Sequence, residues 1–366
     1  MTDTKIARTI PWAIPDIQEE DVQNVQKVLA SGWFTMGKET RKFEESLEKY
    51  LHVRHAIAVN NGTAALDVAL KCLNIGYGDE VIVPVMTYIA TANIVRLNYG
   101  KPVFADIDET LNLNPESVEG KISPKTKAVI SVDLGGNPAD YENLIRITRK
   151  HNLSLIVDGA QSLGASFDGK KCCSHGIINT TSFHAAKILT TIEGGMLFTD
   201  DDRLDEIARA IRNQGETDKK YFHAYLGANY RMMDIIAAFG QKQIERFEDT
   251  LARRKKLISI YKQRLQGLCE FPRTLEKAVN SFFLLIILVD RRDELVFFLK
   301  RHGVDTRIAF PLLIHQPVYG DYGDETFPVA ENLEKKVLSL PLYSKLKEDD
   351  IHYICDLIAK FSGEVK

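Results

Sequence analysis

Ser182 and Lys187 stand five residues apart in SFHAAKILTTIEGG, residues 182–195. A lysine is usually a solvated surface charge. This one lies among small and β-branched residues, after a strand-like run and before a Glu-Gly-Gly turn. An amine in such a place can condense with an aldehyde to give a Schiff base. A hydroxyl five residues earlier can hold a phosphate. Neither reading is compelling alone, so the weight falls on what else the chain offers.

Three further stretches offer complementary chemistry. Asn60-Asn61-Gly62-Thr63 opens a helical pattern, and a helix start presents free N–H groups and a favourable dipole to a phosphate. A threonine cap with a glycine turn explains the same residues equally well. In PVMTYIAT (84–91), Tyr88 suits stacking on a flat aromatic ligand, although a core tyrosine is the commoner use of such a residue. In VDGAQS (157–162), Asp158 ends an apolar strand pattern, where a carboxylate is costly to bury without a cation. A protonated ring nitrogen would be such a partner, and Gln161 could reach a phenolic oxygen on the same ring; a helix-capping Asp is the plain alternative. Phosphate, ring nitrogen, ring face, phenolic oxygen and aldehyde are the five handles of pyridoxal 5′-phosphate (PLP). The sequence has neither GxxxxGK[ST] nor GxGxxG, which counts against a nucleoside triphosphate or dinucleotide site.

These residues need a frame that gathers them. From about residue 55 to 200 short β-rich runs alternate with helical patterns: AIAVN (56–60), EVIVPV (80–85), KPVFADI (101–107), AVISVDL (128–134), SLIVDGA (154–160), TTSFHA (180–185) and GGMLFT (194–199). Several are continuously apolar, as strands covered on both faces are. The rhythm predicts a mainly parallel seven-stranded sheet flanked by helices, with an antiparallel or irregular link between the last two strands. In such sheets ligands bind beyond the carboxyl ends of the strands, where the candidate residues fall. An amphipathic helix is expected over 19–31, packed on the large domain or on a partner subunit, and a long helical stretch over 233–266. Beyond it, a strand over 281–289 and helices over 293–303 and 348–361 predict a smaller C-terminal α/β domain. The expected division is 1–250, an N-terminal segment with a large cofactor-binding domain, and 251–366, the small domain.

Composition narrows the function. The 366 residues are 45% hydrophobic and 27% charged, with net charge −3. That is an ordinary globular balance, and it gives no electrostatic case for nucleic acid or an anionic membrane. No run reaches the roughly 18 apolar residues of a membrane span, and no secretory signal is expected. Five cysteines without a CxxC pair fit reduced thiols and a cytoplasmic location. Adjacent Cys172 and Cys173 read as ordinary residues near a turn before they read as a metal or redox site; no metal is expected.

With these residues in place, the chain resembles the DegT/DnrJ/StrS-type nucleotide-sugar aminotransferases, PLP enzymes of the aspartate aminotransferase fold (fold type I). The likeness runs from PWAIPDIQEEDVQNVQKVLASGWFTMGKETRKF through NNGTAALDVAL, PVFADID, VDGAQSLGA and SFHAAKILTTIEGGM to GANYRMMDIIAAFGQKQIERF, HQPVYG and FPVAENLEKKVLSLPLY. The resemblance implies that Lys187 is the Schiff-base lysine, that Asp158 pairs with the pyridine nitrogen, and that Gln161 contacts the phenolic oxygen. It implies that Gly62, Thr63 and Ser182 hold the phosphate and that Tyr88 stacks on the ring. Asn229 matches a residue that reaches the cofactor phosphate of a neighbouring subunit, which implies a homodimer with shared active sites. Arg231 and His315 match positions near the cofactor or sugar nucleotide; Thr35, Met36 and Gly37 lie in a stretch that lines the sugar pocket; Glu193 belongs to the turn after the lysine.

Two departures stand out. Asp133-Leu134-Gly135-Gly136 replaces the family's usual His-Leu-Tyr-Gly, which is expected to leave space and alter charge near the pocket. Ile192 replaces a usual glycine. The implied reaction moves an amino group from an amino acid, L-glutamate by resemblance, to a nucleotide-linked 3- or 4-keto-deoxysugar, with pyridoxamine 5′-phosphate as the intermediate cofactor form. A PLP-dependent sugar dehydratase is the first rival, but its relatives carry histidine in place of the lysine. A cyclitol aminotransferase shares the cofactor machinery. A catalytically silent PLP-sensing regulator is the rival of another class; a DNA-binding one would need a basic helix-turn-helix domain for which the chain has no spare length.

Overall fold

The computed structural model describes residues 8–363. Seven strands form the main sheet: β1 (His55–Val59), β2 (Glu80–Pro84), β3 (Lys101–Ala105), β4 (Thr126–Val132), β5 (Ser154–Asp158), β6 (Ile178–Ser182) and β7 (Gly195–Thr199), in the order β1-β7-β6-β5-β4-β2-β3. The pairings β6–β5, β5–β4, β4–β2 and β2–β3 are parallel, and β7 runs antiparallel to both its neighbours. β1 therefore points the same way as the parallel set. Residues 183–194, which carry Lys187, connect β6 to β7 without the helix that a parallel crossover usually uses, and β7 returns antiparallel.

The strands' apolar runs are explained by burial on both faces. Ile57, Val83, Ile130, Ile156 and Leu197 pack with helix α3 (Gly62–Cys72) in one cluster, while Ile82, Val129, Leu155 and Val157 pack against Tyr141, Leu144 and Ile147 in another. Register sets the site: Val132 pairs with Asp158, Asp158 with Thr180, and Ser182 with Gly195, so the carboxyl ends of β4, β5 and β6 lie along one edge.

Helix α1 (Glu19–Ser31) has the bounds expected. Its buried Asp21 is gripped by Arg246 and by Gln243, 3.0 Å away, and Asn24 bonds the carbonyl of Ala238 at 2.7 Å. Helix α2 (Lys38–Leu51) follows. The single helical stretch expected over 233–266 is two helices, Asp234–Glu245 and Phe247–Arg264. They meet at Arg246, whose ψ of 14° departs from helical values.

Toward the C-terminus, Leu285–Leu288 pairs antiparallel with Val337–Leu340 beneath the helices Arg292–Arg301 and Glu348–Gly363. Ile10 joins this cluster, its backbone bonded to Gly303 and Asp305. The expected strand over 281–289 is shorter than its apolar run. Residues Ser281 and Leu284 instead donate backbone hydrogen bonds to Gly136 and Gly135, 3.0 Å each.

Among the described residues no helix is long and apolar enough to cross a membrane. Cys172 and Cys173 are both fully buried, and burial pushes both thiols up, the opposite of a reactive thiolate.

Candidate active site

At the carboxyl edge of the sheet lies a cleft of about 1010 Å³. Its lining includes Gly62, Thr63, Tyr88, Asp158, Gln161, Ser182, Lys187 and Glu193, all singled out in the sequence.

Lys187 sits in the loop between β6 and β7. The β-branched residues around it explain its fixed position: Thr190 Oγ1 donates to the carbonyl of Phe183 at 3.1 Å, Thr191 N bonds the same carbonyl at 2.9 Å, and Thr191 Oγ1 bonds the carbonyl of Glu193 at 2.7 Å. The loop is thus tied across itself, and the partly buried Lys187 projects into the cleft with its Nζ 4.5 Å from the centre of the Phe283 ring. Burial lowers its pKa from the usual 10.5 to about 8, while Asp158 pulls the other way. The fall corresponds to roughly 3 kcal/mol. A ring face returns about 0.5–1 kcal/mol to an exposed ammonium and about 2 kcal/mol to a desolvated one, so loss of water is still the larger effect.

Asp158 ends β5, 6% exposed. Its Oδ2 accepts from Thr91 Oγ1 at 2.8 Å and its Oδ1 from Ala160 N at 3.2 Å. Burial raises its pKa; Thr91, the Ala160 N–H and Lys187 oppose the rise. Such a carboxylate favours a cation brought into the cleft. Gln161 Oε1 accepts from Gly135 N at 2.9 Å, which leaves its NH2 group as the remaining donor.

Helix α3 is capped by Asn61, whose side chain accepts from Ala64 N at 2.8 Å. Thr63 is therefore not the cap, and the first turn's N–H groups of Gly62 and Thr63 are left at the cleft. Gly62 lies so close to Ser182 that a Cβ there would come within 2.8 Å of the Ser182 Cβ. Beside this cradle the buried Asn60 Oδ1 has no partner. Free amides, a hydroxyl and a buried carboxylate form a donor and acceptor set that fits the phosphate and ring nitrogen of PLP. Tyr88, 58% exposed, forms one wall with Phe310 edge-on at 5.9 Å.

Six sequence-singled residues do not line this chain's cleft. Gly37 N bonds Asp234 Oδ1 at 2.8 Å in the turn that carries Thr35 and Met36. Arg231 bonds Asn213 Oδ1 at 2.7 Å, and Asn229 bridges to Asn213. His315 lies 3.3 Å from Glu334. The carboxylate of Asp133, expected near the pocket, is fully buried away from the cleft lining, where it accepts from the Tyr141 hydroxyl at 2.6 and 2.7 Å and from Ala139 N at 2.9 Å. The space expected at Gly135-Gly136 is filled by the 281–284 segment.

Sequence reasoning missed Thr91, which holds Asp158 from behind the lining, and Asn61, Phe283 and the outer wall of Trp12 and Arg307. Thr91 follows Thr87 at i,i+4 near a helix start, a signal that could have found it. Phe283 lies in an apolar run and gives no signal.

The chain and its fold have close counterparts. A GDP-perosamine synthase of Escherichia coli O157:H7 is 34% identical over 361 residues, covering 97% of this chain and 99% of that one. A protein described as a sugar aminotransferase from Streptococcus pneumoniae, in its PLP form, superposes with a TM-score of 0.94 at 28% identity, over 98% of this chain and 100% of that one. DesV of S. venezuelae, solved in complex with a ketimine intermediate, gives a TM-score of 0.90 at 33% identity over 94% of each chain. The protein is a PLP-dependent transaminase with the aspartate aminotransferase-like fold. The sequence pattern of the DegT/DnrJ/EryC1/StrS aminotransferase family matches residues 15–359, and the chain belongs to that family.

Proposed function

We propose that the enzyme transfers the amino group of L-glutamate to a nucleotide-linked 3- or 4-keto-deoxysugar and releases a nucleotide amino sugar. The observation that carries this reading is the convergence of Lys187 and Asp158 with the Gly62-Thr63-Ser182 cradle in one cleft.

PLP, when bound, supplies an aldehyde that exchanges between amines and a ring that accepts electrons. In this reading the residues of the cleft divide the work. The N–H groups of Gly62 and Thr63, with the Ser182 hydroxyl, bind the phosphate. Asp158 holds the proton on the ring nitrogen. Gln161 donates to the phenolic oxygen, and Tyr88 covers one ring face. Lys187, its pKa lowered by burial to about 8, would move the donor's α-proton, as a base and then an acid poised close to neutrality should. Its presence disfavours the dehydratase reading.

A homodimer with shared sites belongs to the same proposal. Asn229, Arg231, Thr35, Met36, Gly37 and His315 would then serve the nucleotide sugar or a partner's cofactor. Trp33, Phe34 and Met233, exposed around the Asp234 anchor, support it as surface that a second copy would cover. The division at 1–250 and 251–366 and a cytoplasmic location complete the reading; the separate apolar cluster around Leu257, Leu285 and Ile354 supports the first. The test is the visible spectrum of the PLP-loaded protein before and after L-glutamate, with Lys187→Ala alongside. Conversion to the pyridoxamine form in the wild type alone is expected; turnover by Lys187→Ala at the wild-type rate would sink the scheme.

A further inference from the structure

Arg254, on the helix Phe247–Arg264, is 4% exposed and has no carboxylate partner among the described residues. Its guanidinium instead donates to three backbone carbonyls: Phe282 at 2.7 Å, Phe283 at 3.1 Å and Leu342 at 3.0 Å. Its Nε is buried without a partner. A buried cation served only by neutral carbonyls is an expensive way to fasten a loop. Local violations of this kind gather where function requires them.

The fastened segment is itself unusual. Phe282 has a φ of 51°, a left-handed value uncommon for a bulky residue. Its neighbours Ser281 and Leu284 are bonded to Gly136 and Gly135, whose tight approach needs glycine: a Cβ on Gly136 would come within 2.9 Å of Phe283 N. The product is one oriented ring, Phe283, with Lys187 Nζ 4.5 Å from its centre.

We propose that Arg254 is a positioning residue for Lys187: by holding the carbonyls of Phe282 and Phe283 it keeps the Phe283 ring over the lysine amine and water away from it. This rests on Lys187 being the residue that captures PLP. In that capture the unprotonated amine forms a C=N bond to the aldehyde carbon, and the aldehyde oxygen leaves as water. The rate on the low-pH side therefore follows the fraction of unprotonated Lys187, which the shielding ring raises.

The experiment measures the rate of PLP capture by the full-length apo protein against pH, by absorbance, with thermal unfolding in parallel. Phe283→Ala and Arg254→Met should both move the midpoint upward by about one pH unit, slowing capture at pH 7 about tenfold. The double variant should move it no further than either single one, because Arg254 acts through Phe283. Arg254→Lys, which keeps a cation and donors, should restore part of the shift. If Arg254→Met unfolds more readily but keeps the wild-type midpoint, Arg254 only stabilises the fold and the proposal fails; additive shifts overturn it too. If Arg254→Met does not fold, Arg254→Lys and Arg254→Gln carry the same comparison. Borohydride fixation and peptide mapping of the wild type separate the two readings: PLP fixed elsewhere than Lys187 overturns the capture itself, whereas PLP on Lys187 with unmoved Arg254 variants overturns only the positioning role.

Discussion

The Thr91 hydroxyl donates to Asp158 Oδ2 over 2.8 Å, and both side chains are buried. One carboxylate oxygen is thereby held from beneath by α4 (Ala90–Leu97), so that the carboxylate keeps its orientation toward the cleft. A hydrogen bond to a charged acceptor contributes about 1.5–3 kcal/mol. Thr91→Val keeps the shape and deletes the donor. PLP affinity measured by titration of the apo protein should fall about tenfold or more. Unchanged affinity would show that Asp158 is oriented without Thr91.

Gly62→Ala tests the phosphate cradle. The added methyl would meet Ser182 Cβ at 2.8 Å and spread the α3 start from β6. The change favours helix in itself, so a loss cannot be ascribed to propensity. The dissociation constant for PLP should rise at least about tenfold, the cost of one misplaced charge-assisted hydrogen bond.

The depressed Lys187 pKa has a signed consequence for stability. The folded value of about 8 lies below the usual 10.5, so between them the unfolded chain binds the extra proton. Stability of the apo protein should therefore rise with pH across that window. Relative to Lys187→Met, the wild type should gain about 2 kcal/mol between pH 7 and 10.5, the full shift discounted for partial exposure. Urea unfolding of both proteins at the two pH values measures it, and a flat difference would contradict a desolvated amine.

Ile192 has a φ of 73°, and its side chain is 54% exposed. A β-branched residue is strained in that conformation, which a glycine adopts freely. Ile192→Gly should raise the stability of the isolated chain by about 1 kcal/mol. A drop in thermal midpoint instead would mean that the Ile192 side chain makes contacts that outweigh the strain, as burial against a second copy would.

Much of the fold was legible because its signals are local and periodic. Continuous apolar runs marked strands covered on both faces, and amphipathic spacing marked α1, which the left-handed Gly32 ends in the structure. The core of the candidate site was legible for a related reason: Gly62, Asp158, Ser182 and Lys187 lie at strand ends or shortly beyond them, and a parallel sheet brings strand ends to one edge. The run at 281–289 misled, because periodicity cannot distinguish a strand from an apolar segment docked on a glycine turn. Asp133 misled as well: nothing local shows that Tyr141 and the Ala139 amide turn its carboxylate into the core.

By itself the sequence determined the alternation of elements, the order of reactive residues along them and the family to which they belong. These depend on residue type and spacing, which the chain carries directly. Tertiary structure decided which side chains actually meet: Thr91 with Asp158, Gly135 with Gln161, Arg254 with the carbonyls that bring Phe283 to Lys187. Gly135 and Gln161 stand 26 positions apart in the chain, and Thr91 and Asp158 stand 67 apart. No local pattern encodes such contacts, because they arise only when separate elements pack and their unpaired polar groups find partners.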